Sequence, residues 1–193
     1  WILRETIMGK ELFDHAFKTY SQRWKFKHPT PADFFRSMED ASAMDLDWFW
    51  RGWFYTTDVT DIGIKGVKKY ATKEVENSVE FIEDTTEGLG FSSDKNPNSK
   101  FHYEITYNKP GGLVMPIIVE FTYKDGTKER KTYPAEIWRL NDNEITKVFS
   151  SSKEITNIQI DPDLETADVD TSNNSFPKKQ ANKFEQFKSK IKG

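Results

Sequence analysis

Cysteine is absent from all 193 residues. That excludes disulfides, thiolate metal sites and a cysteine nucleophile, and it suits the cytosol or a bacterial periplasm equally. Histidine is almost as scarce, with His15, His28 and His102 far apart and on three different predicted elements. Zinc sites need ligands at close, repeated spacing, so these three read as surface or helix-end residues. No His-Glu-x-x-His, Gly-x-Ser-x-Gly, P-loop or dinucleotide fingerprint occurs. The residues therefore nominate no catalytic and no metal-binding position. No apolar run approaches a membrane span, and no signal-peptide pattern is visible. A net charge of -3 implies no general affinity for nucleic acid.

Aromatic residues are plentiful, at 15% of the chain, too many for a disordered polymer despite 31% charged residues and a mean hydropathy of -0.76. They concentrate between Asp45 and Asp58, where Trp48, Phe49, Trp50, Trp53, Phe54 and Tyr55 share one short span. Leu46, Phe49, Trp50 and Trp53 recur at helical period, while Trp48, Phe54 and Tyr55 point elsewhere. A helix apolar on more than one side is expected to be wedged between two bodies, as a structural joint. Indole faces also stack on sugar rings, so a carbohydrate platform is the competing reading, against which the helical spacing weighs.

The chain reads as helices before this joint and as strands after it. Trp1 to Met8 predicts a helix stopped by Gly9. Leu12, Phe13, Ala16, Phe17, Tyr20 and Trp24 trace a second, ended by His28-Pro29. Thr30-Pro31-Ala32-Asp33 has a capping-box layout and opens a third helix to about Ser42, expected to bury Phe34, Phe35 and Met38. Asp45 is placed as the cap of the aromatic helix.

From Thr60 the apolar period becomes two. Strands are expected at Ile62 to Val67, at Val75 to Ile82, at Phe101 to Tyr107, at Leu113 to Tyr123 and, after an Asp125-Gly126 hairpin, at Thr127 to Tyr133. Ile137 to Leu140 and Ile145 to Phe149 are read as a second hairpin about residues 141 to 143, and Ile155 to Ile160 as the last strand. Glu83 to Ser99 reads as a polar loop. Seven or eight short strands in this space predict an antiparallel β-sandwich. The fold class is thus α+β, with residues 1-58 helical, 59-177 the β-domain and 178-193 a basic C-terminal helix or tail.

Two charged segments complete the chain. Asp161, Asp163, Glu165, Asp168 and Asp170 form its richest carboxylate group. Asp168, Asp170 and Ser172 match positions one, three and five of a calcium loop, but Asn173 stands where a glycine is wanted and Lys179 where a glutamate is. A solvated, turn-rich segment capping the β-domain is the competing account. Lys178 to Gly193 carries six lysines and one glutamate, a local +5, which leaves -8 on the remainder of a chain whose total is -3. Its stripe of Ala181, Phe184, Phe187 and Ile191 suits a terminal helix docked on the body, or a membrane-surface or partner helix.

Two stretches resemble a known family. WILRETIMGKELFDHAFKTYSQRWKFKHPTPADFFRSMEDASAMDLDWFWRGWFY is similar to the last helices of the thermolysin-like catalytic domain in aminopeptidase N-like zinc metallopeptidases, the gluzincin group. IDPDLETADVDTSNNSFP resembles the segment that closes the β-domain in members from Bacteroidetes-like bacteria. With the strands between, the resemblance covers about residues 1 to 177, and its motifs are most specific in the first 57.

The resemblance implies that the parent is a peptide-bond hydrolase. In that family His-Glu-x-x-His and a distal Glu bind zinc, the motif Glu activates water, and a Tyr stabilises the tetrahedral intermediate. All of these are expected before Trp1, where the parent's zinc is also expected; Tyr20 and Tyr55 do not substitute for the family's Tyr. The chain is therefore expected to be a non-catalytic C-terminal portion, inactive alone, whose partner is the catalytic domain of the same polypeptide. A periplasmic or secreted parent fits best. Apolar surface left on Leu12, Phe13, Phe17 or Phe35 would favour self-association. The alternative is an independent β-sandwich module that binds peptide or carbohydrate.

Overall fold

The computed structural model describes residues 1–75, 78–84 and 101–178, with residues 71–75 and 78–84 described through their backbone. The chain opens in a wide π-type turn, Leu3–Ile7, and Gly9 breaks it with a φ of 79°. A side chain is strained in that left-handed region, which is why glycine ends the turn and lets a new helix start in another direction. Helix α1, Lys10–Trp24, buries Ala16 completely. It stops four residues before the expected His28-Pro29, because Lys25 turns extended and Phe26 adopts a φ of 61°.

Helix α2, Pro31–Ser42, begins at the predicted box. The Asp33 carboxylate accepts the Thr30 backbone N–H at 2.9 Å and the Thr30 hydroxyl at 2.7 Å. Those two bonds, the backbone one first, hold the Asp33 carboxyl below its ordinary pKa. Phe35 and Met38 are buried and Phe34 is half-buried. Helix α3, Asp47–Tyr55, is the aromatic stretch. Leu46, not Asp45, holds its N-cap position, and Asp45 instead accepts the Asp47 N–H and pairs with Arg139 at 2.8 Å.

Among the described residues eight strands follow, as two antiparallel four-stranded sheets. One contains β1 (Gly63–Val75), β2 (Ser78–Asp84), β3 (Phe101–Asn108) and β6 (Glu144–Ser151), in the order β2-β1-β3-β6. The other contains β4 (Ile117–Tyr123), β5 (Lys128–Tyr133), β7 (Ile155–Ile160) and β8 (Ser175–Phe176), in the order β5-β4-β7-β8. Inward positions alternate as a pleat requires. Tyr103, Ile105 and Tyr107 of β3 share one core with Val119, Phe121 and Tyr123 of β4, and Phe121 stacks on Phe149 of β6 at 4.1 Å. On the outer side of β3, Thr106 meets Thr146 at 2.9 Å and Glu104 pairs with Lys68 at 3.3 Å. The edge strand β5, KERKTY, exposes charged side chains that discourage further strand pairing.

Several expectations need correction. Val75 ends β1 and does not start the next strand. Leu113, Met115 and Pro116 are buried but form no ladder, and β4 starts only after Pro116, which has no N–H to donate. Ala135–Arg139 is a 3-10 helix, so no hairpin spans 141–143, and β6 pairs with β3 in the opposite sheet. The predicted loop over 83–99 lies outside the described residues from 85 onwards, and so does the basic tail helix from 179 onwards.

The Asp125-Gly126 turn forms as expected, with Gly126 at φ 82° and Asp125 accepting the Thr127 N–H at 2.9 Å. Val59, at the head of the β-body, donates to the Gly111 carbonyl at 3.0 Å and accepts from the Leu113 N–H at 3.3 Å. A Cβ on Gly111 would lie 2.3 Å from the Val59 carbonyl oxygen and 2.9 Å from the Asp61 nitrogen, both backbone atoms. Gly111→Ala is expected to cost about 1–3 kcal/mol, because main chain cannot step aside. Gly66→Ala, which meets nothing within 4 Å, is expected to stay within about 0.5 kcal/mol. Urea midpoints of the two variants make the comparison.

Burial, and then its hydrogen bond to Glu129, push the Tyr123 phenol up to about 12 from its ordinary 10. The fold therefore favours the neutral phenol. That contribution is complete below pH 10 and is lost as pH rises through about 12. Thermal midpoints are expected to fall across this window and to fall less in Tyr123→Phe. A wild-type midpoint that ignores pH there would contradict the assignment.

Candidate functional site

The helices have a core of their own, made by Met8, Ala16, Phe35, Met38, Leu46, Phe49 and Trp50. Ile2, Ile7 and Trp48 are half-buried and pack against both this core and the core of the β-body. Trp48 is thus the member of the aromatic helix that touches both bodies. Ile2 and Ile7, from the opening turn, bridge the two cores in the same way.

Aromatic contacts continue across all three helices. Phe13 stacks on Phe17 at 5.7 Å, Tyr20 meets Phe34 edge-on at 4.9 Å, and Phe35 stacks on Trp50 at 4.5 Å. The ladder then reaches the surface. Phe35 contacts Phe54 at 5.0 Å and Phe49 stacks on Trp53 at 5.7 Å. Phe49 and Trp50 are 6% and 4% exposed, but Trp53, Phe54 and Tyr55 are 36%, 57% and 68% exposed. The second half of the helix is thus an open aromatic ridge, while Trp48, Phe49 and Trp50 in its first half are half-buried or buried. Phe17, at 45% exposed, lies on the ladder's outer side, whereas Phe35 is buried and offers no free surface.

Glu39 fixes α3 on α2. Its Oε1 accepts both the Leu46 N–H, at 3.0 Å, and the Trp50 indole N–H, at 3.2 Å. On the other flank, Gly52 lets α3 approach the β-body so closely that a Cβ would lie 2.4 Å from Leu113 Cδ1. Between that flank and the Ala135–Arg139 turn lies a cleft of about 410 Å³. Its lining includes Trp48, Arg51, Asp58, Glu136, Trp138 and Asp142.

The floor of the cleft is rigid. Trp138 is 3% exposed and its indole N–H donates to the Met115 carbonyl at 2.9 Å. The almost fully buried Lys109 ammonium lies 5.8 Å from the Trp138 ring centroid, donates to the Gly112 carbonyl and pairs with Asp142 at 3.2 Å. The half-buried Trp48 ring above this floor, with Arg51, Asp58 and Glu136 around it, can hold a flat or zwitterionic group by stacking and ion pairing. Sequence reasoning missed Trp138 and Lys109, since neither stands out in a strand-like pattern; only the tertiary fold brings Trp138 to the same cleft as Trp48 and sets Lys109 beside Trp138.

The histidines stay apart. His15 is exposed on α1, His28 is exposed after it, and His102 on β3 lies 2.7 Å from Ser150 Oγ. Glu39, Asp45 and Asp47 bring three carboxylates within 4.8 Å of one another. Glu39 and Asp45 are already engaged by the N–H groups and by Arg139, as above. The acidic residues around Asp168 are largely absorbed into turns. Asp161, 1% exposed, accepts the Glu165 and Thr166 N–H groups, Asp163 and Glu165 pair with Arg130, and Asp170 accepts from Ser172. No helix among the described residues is long and apolar enough to cross a membrane.

Compared with known proteins, the chain matches no family model, and no curated protein matches it.

Removing the Glu39 carboxylate leaves two N–H groups without their acceptor. Glu39→Ala is expected to lose about 1–3 kcal/mol, while Glu39→Gln, which keeps an acceptor oxygen, loses less than half of that. Denaturant midpoints and the near-ultraviolet circular dichroism of the Trp50 indole check both.

Proposed function

We propose that this chain is the non-catalytic, scaffolding portion of a zinc-dependent aminopeptidase-like metallopeptidase. In this reading residues 1–58 are the rear of a thermolysin-like catalytic domain, and the two sheets are the β-sandwich that follows it. The observation that supports it best is the aromatic ridge. Trp53, Phe54 and Tyr55 are consecutive exposed aromatic residues on a helix that already has a packed face, and Phe17 is a further exposed ring on α1. Contiguous exposed aromatic surface of this kind marks a contact with another body. The occupant proposed is the parent's catalytic domain, which would supply the zinc ligands, the general base and the binding site for the peptide substrate. The resemblance of the first 57 residues points the same way.

The reading expects this chain to hold no stoichiometric zinc and to hydrolyse no aminoacyl amide, with or without added zinc. Elemental analysis of the purified chain and an aminoacyl-nitroanilide assay test this, and stoichiometric zinc with turnover would defeat it. Light scattering after size exclusion is expected to show concentration-dependent self-association, reduced in a Phe54→Ser, Tyr55→Ser double variant that stays folded by circular dichroism.

A second reading, an independent module for peptide or carbohydrate, is favoured by the cleft between Trp48 and Trp138. Saturable quenching of tryptophan fluorescence by an oligosaccharide or peptide, lost in Arg51→Ala, would move the conclusion to that class.

A further inference from the structure

The start of β1 and the 168–174 turn meet at one end of the β-body, and there the side chains present oxygen. Asn173 Nδ2 donates to Asp61 Oδ1 at 2.7 Å, and Asn174 Nδ2 donates to Asp168 Oδ2 at 3.1 Å. An amide that aims its nitrogen at a carboxylate holds its own oxygen beside that carboxylate. Both asparagine Oδ1 atoms are shut from solvent and accept no hydrogen bond, and the same holds for Thr60 Oγ1. Asn174 is 0% exposed and Thr60 2%. Rotating either amide would set oxygen against carboxylate and help neither.

The surrounding N–H groups are already committed. Asp168 Oδ2 takes the Ile62 N–H at 3.3 Å, and Oδ1 takes the Asp170 N–H at 2.9 Å. The Asn174 N–H goes to the Thr171 carbonyl at 3.4 Å, and the Val169 N–H to the Thr60 carbonyl at 2.9 Å. Burial raises the Asp168 carboxyl above its ordinary pKa, these bonds pull it down, and the nearby Asp61 charge raises it again. No lysine or arginine among the described residues forms an ion pair with Asp61 or Asp168. Two neighbouring carboxylates and three buried, unpaired oxygens are costly unless something positive completes them.

We propose that Asp168 and Asn174, flanked by Asp61, Asn173 and Thr60, form a site for one calcium ion that fastens the 168–174 turn to the start of β1. The donors are all hard oxygens, carboxylate and neutral carbonyl mixed, which is the set calcium takes with six to eight ligands. Magnesium dehydrates reluctantly and suits such a cage poorly. Zinc prefers nitrogen and sulfur. The donor set differs from the one-three-five spacing visible in the sequence, because Asp170 turns its carboxylate to its own Ser172, at 3.0 Å from the backbone nitrogen and 2.6 Å from the hydroxyl. An ordered water bonded to these oxygens is the rival occupant.

Isothermal titration of the intact, EGTA-treated chain with calcium chloride tests the site, alongside melting curves in equal calcium and magnesium. One saturable calcium event is expected, with a melting temperature raised by calcium and not by magnesium. Asp168→Asn should weaken binding about tenfold or more. Asn174→Asp, which keeps the side-chain shape and adds charge, should tighten it if Asp168→Asn fails to fold. Asp47→Asn and Asp170→Asn should leave it unchanged. Absence of any calcium-dependent heat or melting shift up to about 10 mM, beyond the weak end of known protein sites, would overturn the proposal in favour of water. So would binding abolished by Asp47→Asn and untouched by Asp168→Asn.

Discussion

Ile2, Ile7 and Trp48 carry the constraint on which the rest of the arrangement depends, because these three side chains pack against both hydrophobic cores. Each core could fill itself, but the angle between helices and sheets is set by what crosses the seam. Trp48 can cross it only because α3 is held on both flanks. Glu39 grips its first turn by the Leu46 N–H and the Trp50 indole, and Gly52 lets its other flank rest on Leu113. The polar ties at the seam, Thr6 to the Glu165 carbonyl and Arg139 to Asp45, are exposed or half-exposed and add little energy beside buried indole. They fix orientation.

What the sequence made readable was local chemistry. Thr30 and Asp33 announce a helix start because both partners of the cap lie within three residues, and Asp125-Gly126 announces a turn for the same reason. The alternation of Tyr103, Ile105 and Tyr107 needs only the pleat. Where the reading failed, two structures share one apolar signature. Ile137 and Trp138 are buried whether their backbone is strand or 3-10 helix, and the segment after Pro134 takes the latter, with the Ile137 N–H bonded to the Pro134 carbonyl at 3.1 Å. Leu113 and Met115 are buried without a ladder for a related reason. The sheet that β6 joins is a long-range fact that no local pattern carries.

The acidic segment shows the same limit from the polar side. Its composition predicts a turn-rich, solvated stretch, and Asp161, Leu164 and Ala167 do take positive φ. Composition does not say that the Asp161 carboxylate turns inward to hold the Thr166 hydroxyl at 2.6 Å, nor that Asn173 reaches back more than a hundred residues in sequence to Asp61 while Asn174 turns to Asp168. Those asparagines carry no signal as a pair; the partner of Asn173 is Asp61, which only the fold delivers.

The two functional readings draw on different sides of α3. Trp53 and Phe54 contribute nothing to the cleft beside Trp138, and the cleft's Asp58, Glu136 and Asp142 contribute nothing to the ridge. A module complete in itself would gain by placing polar residues where Phe54 stands, since each exposed aromatic forgoes about 25 cal/mol for every Å² it fails to bury. Scattered exposed apolar residues need no explanation. Phe54 is not scattered: it touches Phe35, which stacks on Trp50, which is buried in the helical core. The ridge is thus the outer edge of a packed aromatic layer, continuous with the interior, and such a layer favours another body as its proposed continuation. Arg36, Glu39, Asp47 and Arg51 line the groove beside Phe35, Trp50 and Tyr55 and edge the ridge on that side. In the cleft, by contrast, none of the large apolar side chains in the lining is exposed. That difference in exposure, more than the size of either feature, weighs for the scaffolding role.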